Sequence, residues 1–241
     1  MIALSTTEFE VCWHELGLGP LPLVLDVPSE GRTEAERREV VARAKRVLRH
    51  PDLERHLVVL AKHDWAVDSR VLGGGKRLRA RGAVSGNRGV VAVHEGHNIT
   101  LRPLASDTVA MSLALLAGEV PAARGSAVNV RADALDAVPS DDLRRMAEAL
   151  VARGERPADV RGLVRLCEGT HTRGQFSTPG VADVVAFHDT PLGRCLQLRR
   201  DGWVTVLPAT TAQVAGRIRQ LTRSEGERRA GQEGRHPAVA R

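Results

Sequence analysis

Hydrophobic and polar residues alternate in two separate groups of short segments along the chain. Alternation with a period of two predicts β-strands that bury one face of a sheet. Short turns such as Glu95-Gly96 and Asp201-Gly202 separate neighbouring segments, which predicts antiparallel hairpins. The predicted strands span about residues 65–72, 78–84, 90–94 and 98–104 in the first group, and 171–176, 184–187, 195–198 and 203–207 in the second.

A segment with the apolar period of a helix follows each group of strands, over about residues 106–117 and 211–221. Two more predicted helices precede each group. Pro51 and Pro157 mark the start of one helix each, where the missing N–H of proline has no partner to lose. The other predicted elements are helices over about 34–48 and 141–152 and short strands over 23–27 and 127–130.

The two halves of the chain repeat the same order of elements: strand, two helices, four strands, helix. Ile99–Pro103 resembles Val204–Pro208, a shift of 105 residues (208 − 103). The whole ordered series indicates an internal duplication rather than chance matches of single residues. Because strands and helices are each grouped together, the predicted fold class is α+β. We predict one domain over residues 1–222, with quasi-equivalent halves of about 1–119 and 120–222.

Apolar periodicity stops after Leu221, and the remaining residues are rich in Arg, Glu and Gly. This composition predicts a disordered, basic tail over residues 223–241. A basic arm that binds nucleic acid is the alternative. Residues 222–241 hold five Arg and three Glu, a net charge of only +2, which favours the plain tail.

The formal net charge of the whole chain is +6, with Arg far more frequent than Lys. One interpretation is an arginine-rich composition spread over solvated faces. The competing function is a basic nucleic-acid-binding α+β domain that uses Arg77, Arg79, Arg81 and Arg88. The chain has three Trp, three Phe and no Tyr, which argues against a platform that stacks bases.

The cysteines and the N-terminal residues indicate the compartment. Cys12, Cys167 and Cys195 are far apart and odd in number, which supports neither a disulfide framework nor a zinc site. The segment Met1–Ser5 has no basic region and no long apolar run, and no stretch approaches the length of a membrane helix. We therefore expect a cytoplasmic protein without membrane insertion.

Gly73–Arg77 is the segment closest to a phosphate-binding loop. That motif needs Gly five residues before its second Gly, and Ser or Thr after the Lys. Those positions hold Arg70 and Arg77, and the segment lies between predicted strands rather than before a helix. A hairpin connection is the better interpretation.

Candidate metal ligands and catalytic residues are present without a supporting frame. His94 and His97 combine with His188 and Asp189 into the right residue types, but strand alternation directs the two rings of His-x-x-His to opposite faces. Ser, His and Asp occur without a nucleophile elbow. The segment after Phe187 also fits ordinary turn chemistry. We predict no catalytic residue, no metal and no cofactor.

Several segments, taken together, resemble actinobacterial proteins of the EspG family. In the N-terminal part these are Leu4–Phe9, Gly19–Pro22 and Leu25–Ser29. In the C-terminal part they are Arg173–Phe176, Phe187–Pro191, Gly193-Arg194 and Arg200–Val206 with Pro208. The resemblance covers residues 1 to about 221 and is specific as an ensemble.

The resemblance implies a chaperone without enzymatic activity. Such a protein binds the hydrophobic tip of the PPE protein in a PE–PPE heterodimer and keeps it soluble for type VII (ESX) secretion. The implied fold is a quasi-twofold α+β fold with a central, mostly antiparallel sheet and helical bundles, in agreement with the duplication. The implied partner is a PE–PPE pair rather than nucleic acid.

The family's mode of binding directs attention to the first-half sheet, to a loop between its early strands and to the C-terminal helical bundle. That loop maps to Gly73–Lys76 and is short compared with some members, and the bundle maps to about 141–152 and 158–167. Large or cationic side chains dominate such interfaces. The alternative interpretation is that the Trp is half-buried in its strand and the arginines are solvated, without a role in binding. The candidate partner-binding residues are Trp65, Ser69, Arg70, Gly73, Gly74, Gly75, Lys76 and Arg77.

Overall fold

The computed structural model describes residues 1–25, 27, 42, 44, 50–138 and 142–233, with the backbone alone for 224–233. The strands are β1 (Ile2–Ser5), β2 (Trp65–Gly73), β3 (Lys76–Ser85), β4 (Arg88–Glu95), β5 (Asn98–Ala105), β6 (Val128–Arg131), β7 (Thr172–Ser177), β8 (Val184–Thr190), β9 (Gly193–Arg200) and β10 (Trp203–Pro208). The α-helices are α1 (Thr6–Glu15), α2 (Leu53–Ala61), α3 (Val109–Ala114), α4 (Ala132–Asp136), α5 (Leu143–Ala152), α6 (Pro157–Cys167) and α7 (Thr211–Glu233). Short 3₁₀ turns lie at Leu23–Leu25, Ser106–Thr108 and Leu115–Ala117.

Local signals in the sequence set the starts of three helices. Before α1, the Ser5 hydroxyl accepts the Glu8 N–H at 3.1 Å, and the Glu8 carboxylate accepts the Ser5 N–H at 2.8 Å. This reciprocal pair is a capping box, which satisfies two backbone donors that a helix end leaves free. Asp142 caps α5 in a similar way, and Pro157 lies in the first turn of α6.

The ten strands form one sheet in which each neighbouring pair is antiparallel. From its outer edge to the centre, the first half runs β1-β5-β4-β3-β2, and the second half runs β6-β10-β9-β8-β7. Corresponding strands therefore occupy corresponding positions. The predicted α+β fold with two quasi-equivalent halves and an antiparallel sheet is confirmed.

The two halves also pair their strands in the same register. Pro103 of β5 faces Val90 of β4, and Pro208 of β10 faces Cys195 of β9. Both residues of the second pair lie 105 positions after those of the first (208 − 103 and 195 − 90). The shift found in the sequence therefore corresponds to one hairpin that is built twice.

The halves meet where β2 pairs with β7, near the contact between Ser69 and Phe176. Strand order is mirrored on either side of this pair. The pseudo-twofold axis of the molecule thus passes through the middle of the sheet, between two strands that belong to different halves.

The helices divide between the two faces of the sheet. On one face α3 and α7 pack over the centre and share a core with strands of both halves, through Val67, Val71, Leu113, Phe176, Phe187 and Ile218. On the other face, α1 and α2 cover the first half, while α5 and α6 cover the second. Neighbouring residues belong to opposite faces, as Ala66 and Val67 do in β2. The second face therefore carries two separate cores.

Three expectations from the sequence need correction or a note. The predicted strand over 23–27 is wrong, because Leu23–Leu25 forms a 3₁₀ turn. The helix predicted over 34–48 falls largely outside the described residues. The last helix does not end at Leu221 but continues to Glu233, since Arg, Glu, Ala and Gln favour helix even without an apolar face to pack. The rest of the predicted tail, residues 234–241, lies outside the described ranges. None of the described helices is long and apolar enough to cross a membrane.

A buried ion pair joins β8 and β9. Asp189 and Arg194 are 1% and 0% exposed, and two hydrogen bonds of 2.7 and 2.9 Å connect them. Arg194 also donates to the Thr211 hydroxyl at 2.9 Å and to the Ala117 carbonyl at 3.3 Å. Its guanidinium carbon lies 4.9 Å from the centre of the Phe187 ring. Because a buried charge is costly without partners, this set of contacts fixes how the elements meet.

We expect Asp189→Asn to lower the free energy of unfolding by about 3–5 kcal/mol, because it leaves a buried guanidinium without its counter-charge. Urea denaturation followed by circular dichroism measures the change. The matched control is Asp136→Asn, which breaks the exposed pair with Arg199 and should leave the midpoint within error. Equal midpoints for the two variants would contradict the structural role of the buried pair.

Candidate protein-binding surface

The centre of the second face exposes a strip of side chains from β3, β2, β7 and β8. We call it the open strip and define it by Arg77, Arg79 and Arg81 of β3, Asp68, Arg70 and Leu72 of β2, Arg173, Gln175 and Ser177 of β7, and Val184 and Ala186 of β8. Strand pairing places these residues in rows across the sheet, one row being Arg79, Arg70, Gln175 and Ala186. The strip crosses the pseudo-twofold axis between the two cores of this face.

Alternation within β2 explains why the strip is polar while the sheet beneath it is apolar. Val67 and Val71 point to the core under α3 and α7, whereas Asp68 and Arg70 point the other way. Leu72 and Val184 are exceptions on the strip, with 36% and 42% of their surface exposed. The open strip therefore combines charges with isolated apolar side chains.

One end of the strip borders a cavity of about 470 Å³ beneath the N-terminal segment Pro20–Val24. Asp68 and Arg81 form its floor, joined by two hydrogen bonds of 2.7 and 2.9 Å. This bidentate pair neutralises both charges and holds the two side chains in place. Leu23, on the rim, is 90% exposed.

The other end of the strip borders a larger groove of about 560 Å³, which we call the bundle groove. Its walls are mostly aliphatic and come from α4, α5, α6 and β10, namely Leu135, Val138, Leu143, Met146, Leu163, Val204 and Val206. Arg173, His188 and Gln197 supply its polar edge. Since Arg173 belongs to both, the open strip and the bundle groove form one continuous surface.

His188 holds the polar edge of the bundle groove in place. Its Nε2 donates to the Leu166 carbonyl at 2.8 Å, and its Nδ1 accepts from the Gln197 amide at 2.8 Å, as a neutral ring requires. Burial lowers the pKa of His188 below its ordinary 6.5, against the smaller opposing effects of Leu166 and Asp189. The ring is therefore a neutral, structural bridge between α6, β8 and β9.

The sequence-predicted site residues divide between two faces. Arg70 and Arg77 lie on the open strip, and Gly74 and Gly75 form the β2–β3 turn with positive φ of 58° and 74°. Gly73 packs so closely that an added Cβ would lie 2.6 Å from the Thr172 Cα. Lys76 follows the turn and lies 3.7 Å from the carboxylate of the exposed Glu95.

Trp65 and Ser69 lie on the opposite face. Trp65 packs at the edge of the core under α7, near Arg219 and Thr222. Ser69 is 1% exposed, so the expectation that it belongs to an accessible surface is wrong. The cause is strand alternation: Ser69 shares its face with Val67 and Val71, two positions away on either side. The alternation within β2 groups Ser69 with Val67 and Val71, but a serine does not itself indicate whether its face is buried.

The candidate metal ligands from the sequence do not come together in space. His94 is in β4 and His188 in β8, with three strands between them. Among the described residues no group of three or more His, Cys, Asp or Glu side chains could hold a metal ion. Burial raises the pKa of each cysteine thiol, Cys12, Cys167 and Cys195, to about 11, so none is a thiolate near neutral pH.

We expect a pH effect on stability from His188. Because its pKa is lowered in the folded protein, the unfolded chain takes up the proton first, and stability falls as pH drops below about 6.5. The melting temperature of His188→Gln should therefore fall less than that of the parent between about pH 7.5 and about pH 5.5. The dependence should shrink rather than vanish, since burial also lowers the pKa of His56. Identical drops in parent and variant would contradict this role.

Comparison with known proteins identifies the family of this chain. A comparison with curated proteins gives no match. The fold is similar to that of the Mycobacterium tuberculosis type VII secretion system chaperone EspG5, solved in complex with the PE25–PPE41 dimer. The TM-score is 0.69 at 16% sequence identity, over 91% of this chain and 95% of the other. The model of the EspG family matches residues 5–220, and because this span covers most of the 241 residues, the chain belongs to the EspG family.

Proposed function

We propose that this protein is a type VII secretion chaperone that binds the hydrophobic tip of a PPE protein within a PE–PPE heterodimer. Membership of the EspG family supports this function. So does the likeness to EspG5, a chaperone whose solved complex contains a PE–PPE dimer. The proposed docking surface is the open strip together with the bundle groove.

The observation that carries the proposal is the bundle groove itself. It is a concave, aliphatic surface of about 560 Å³ that adjoins an exposed sheet face. A secreted partner with an apolar tip aggregates while that tip is exposed, and burying it in such a groove keeps the partner soluble. The groove accepts aliphatic side chains, and the strip supplies polar contacts around them.

The proposed action is holding without turnover, in the cytoplasm. Binding alone shifts the partner toward its soluble state by mass action and needs neither a cofactor nor a chemical step. The neutral His188 and the paired Asp189 fit this function, because both are occupied by structural hydrogen bonds. We expect an interface of standard size, roughly 1,200–2,000 Å² in total.

Charge placed in the bundle groove tests the function. Leu143 lines the groove and is half-buried on α5, so Leu143→Glu should put a carboxylate where an apolar tip binds. We expect co-purification with a co-expressed cognate PE–PPE pair to be lost, with affinity reduced about a hundredfold. Size-exclusion chromatography and calorimetry measure the loss.

The matched control is Val151→Glu. Val151 is an apolar residue of the same helix, is 42% exposed and does not line the groove. It should leave both melting temperature and affinity unchanged. Failure of the unmodified protein to bind the PE–PPE pair would refute the proposed function, and equal losses in both variants would refute the groove as the site.

A further inference from the structure

An exposed leucine at the end of the open strip that borders the bundle groove is surrounded by three arginines. Leu72 of β2 faces Arg77 on β3 and Arg173 on β7, and Arg70 lies two residues away on the same face of the same strand. Directly opposed residues in antiparallel strands have Cβ atoms about 4.5–5.5 Å apart. We call these four residues the arginine–leucine cluster.

The three arginines have no counter-charge within the described part of the protein. Neither a side-chain hydrogen bond nor an ion pair to any described residue involves Arg70, Arg77 or Arg173. Arg81, on the same face, shows the contrast, because Asp68 binds it through two hydrogen bonds. Like charges held close on one face are unfavourable by themselves. The cluster is therefore a concentrated positive charge that an anionic partner would stabilise.

The cluster is not repeated by the pseudo-twofold symmetry. The shift of 107 that relates Ser69 to Phe176 (176 − 69) places Ser177 and Pro179 at the positions of Arg70 and Leu72. Neither residue is charged. The positive charge is thus concentrated toward one end of the strip, the end that leads through Arg173 into the bundle groove.

We propose that the cluster selects the partner, on the basis of the proposed function: it binds a segment of the PE–PPE pair in which an apolar side chain is flanked by carboxylates. The apolar side chain packs on Leu72, and Asp or Glu side chains receive bidentate hydrogen bonds from the guanidinium groups of Arg70, Arg77 and Arg173. The adjoining bundle groove takes the aliphatic residues next to that segment. Charge complementarity at the strip thereby supplies specificity and a faster encounter.

The composition of the strip favours a carboxylate-bearing protein over nucleic acid. A phosphate backbone needs cations along a track, whereas these three surround one leucine. Asp68 also lies on the same face, and Arg88 lies at the far end of the adjoining strand pair. The aromatic residues nearest the strip, Phe176 and Phe187, are buried in the core of the opposite face. The strip therefore lacks stacking surfaces among its defined residues.

The test is the affinity for a purified cognate PE–PPE heterodimer, one that co-purifies with the parent protein, measured by calorimetry for single and triple variants. We expect Arg70→Gln, Arg77→Gln and Arg173→Gln each to raise Kd about tenfold, and the triple variant to raise it more than about a hundredfold. Affinity of the parent should fall between about 0.05 and 0.5 M salt, and the triple variant should lose most of that dependence. Leu72→Ser should weaken binding without changing the salt dependence.

The matched controls are Arg88→Gln and Arg102→Gln, exposed strand arginines outside the strip and without an ion pair to any described residue. They should stay within about twofold of the parent. All variants should keep the parent melting temperature, since the substituted residues are exposed.

If the parent binds the heterodimer and the triple variant binds it equally well, the cluster is not the selecting element while the chaperone function stands. Tighter arginine-dependent binding of a labelled DNA duplex than of the heterodimer would also overturn the inference.

Discussion

The buried guanidinium of Arg194 ties the end of the first half to the sheet and the last helix of the second half. It binds Asp189 in the neighbouring strand, the Thr211 hydroxyl at the start of α7 and the Ala117 carbonyl at the end of the first half. The backbone of the same residue accepts N–H groups from Ala123 and Ala209. One residue thus holds the linker, the sheet and the last helix together. Its charge makes this arrangement strict, because any displacement leaves an unpaired cation in the core.

In the first half the equivalent position is filled by apolar packing instead of an ion pair. The shift of 105 places Val84 and Gly89 where the second half has Asp189 and Arg194 (189 − 84 and 194 − 89), and both pairs face each other across neighbouring strands. At Gly89 an added Cβ would lie 2.3 Å from a methyl of Val109, so α3 rests directly on the sheet there. The duplicated frame therefore admits two packings. The ionic packing occurs in the second half, where Arg194 also anchors the segment that connects the two halves.

Elements with strong local signals could be predicted from the sequence, and positions set by tertiary contacts could not. Alternation, turns and the repeated Pro103 and Pro208 were enough for the strands, the hairpins and the duplication. The side on which Ser69 lies depends on which face α7 covers, and that depends on the whole sheet. Leu23–Leu25 is apolar like a strand, yet its neighbours turn it into a 3₁₀ segment at the rim of the open strip. Arg70 and Arg77 were placed correctly on a surface, whereas Leu72 and Arg173 became relevant only once β2 and β7 were paired.

The pseudo-twofold symmetry itself accounts for the exposed surface. An axis through the β2–β7 pair brings the equivalent helices α3 and α7 together over the centre of one face, where they close a single core. On the other face the same rotation places the remaining helices away from the centre. There α1 and α2 cover the first half, and α5 and α6 cover the second. The centre of that face is then left to side chains of the strands alone. A duplicated α+β fold of this kind consequently produces an exposed strip without any loop dedicated to it. The strip acquires a direction where the two halves differ in charge, as at Arg70, whose counterpart is Ser177.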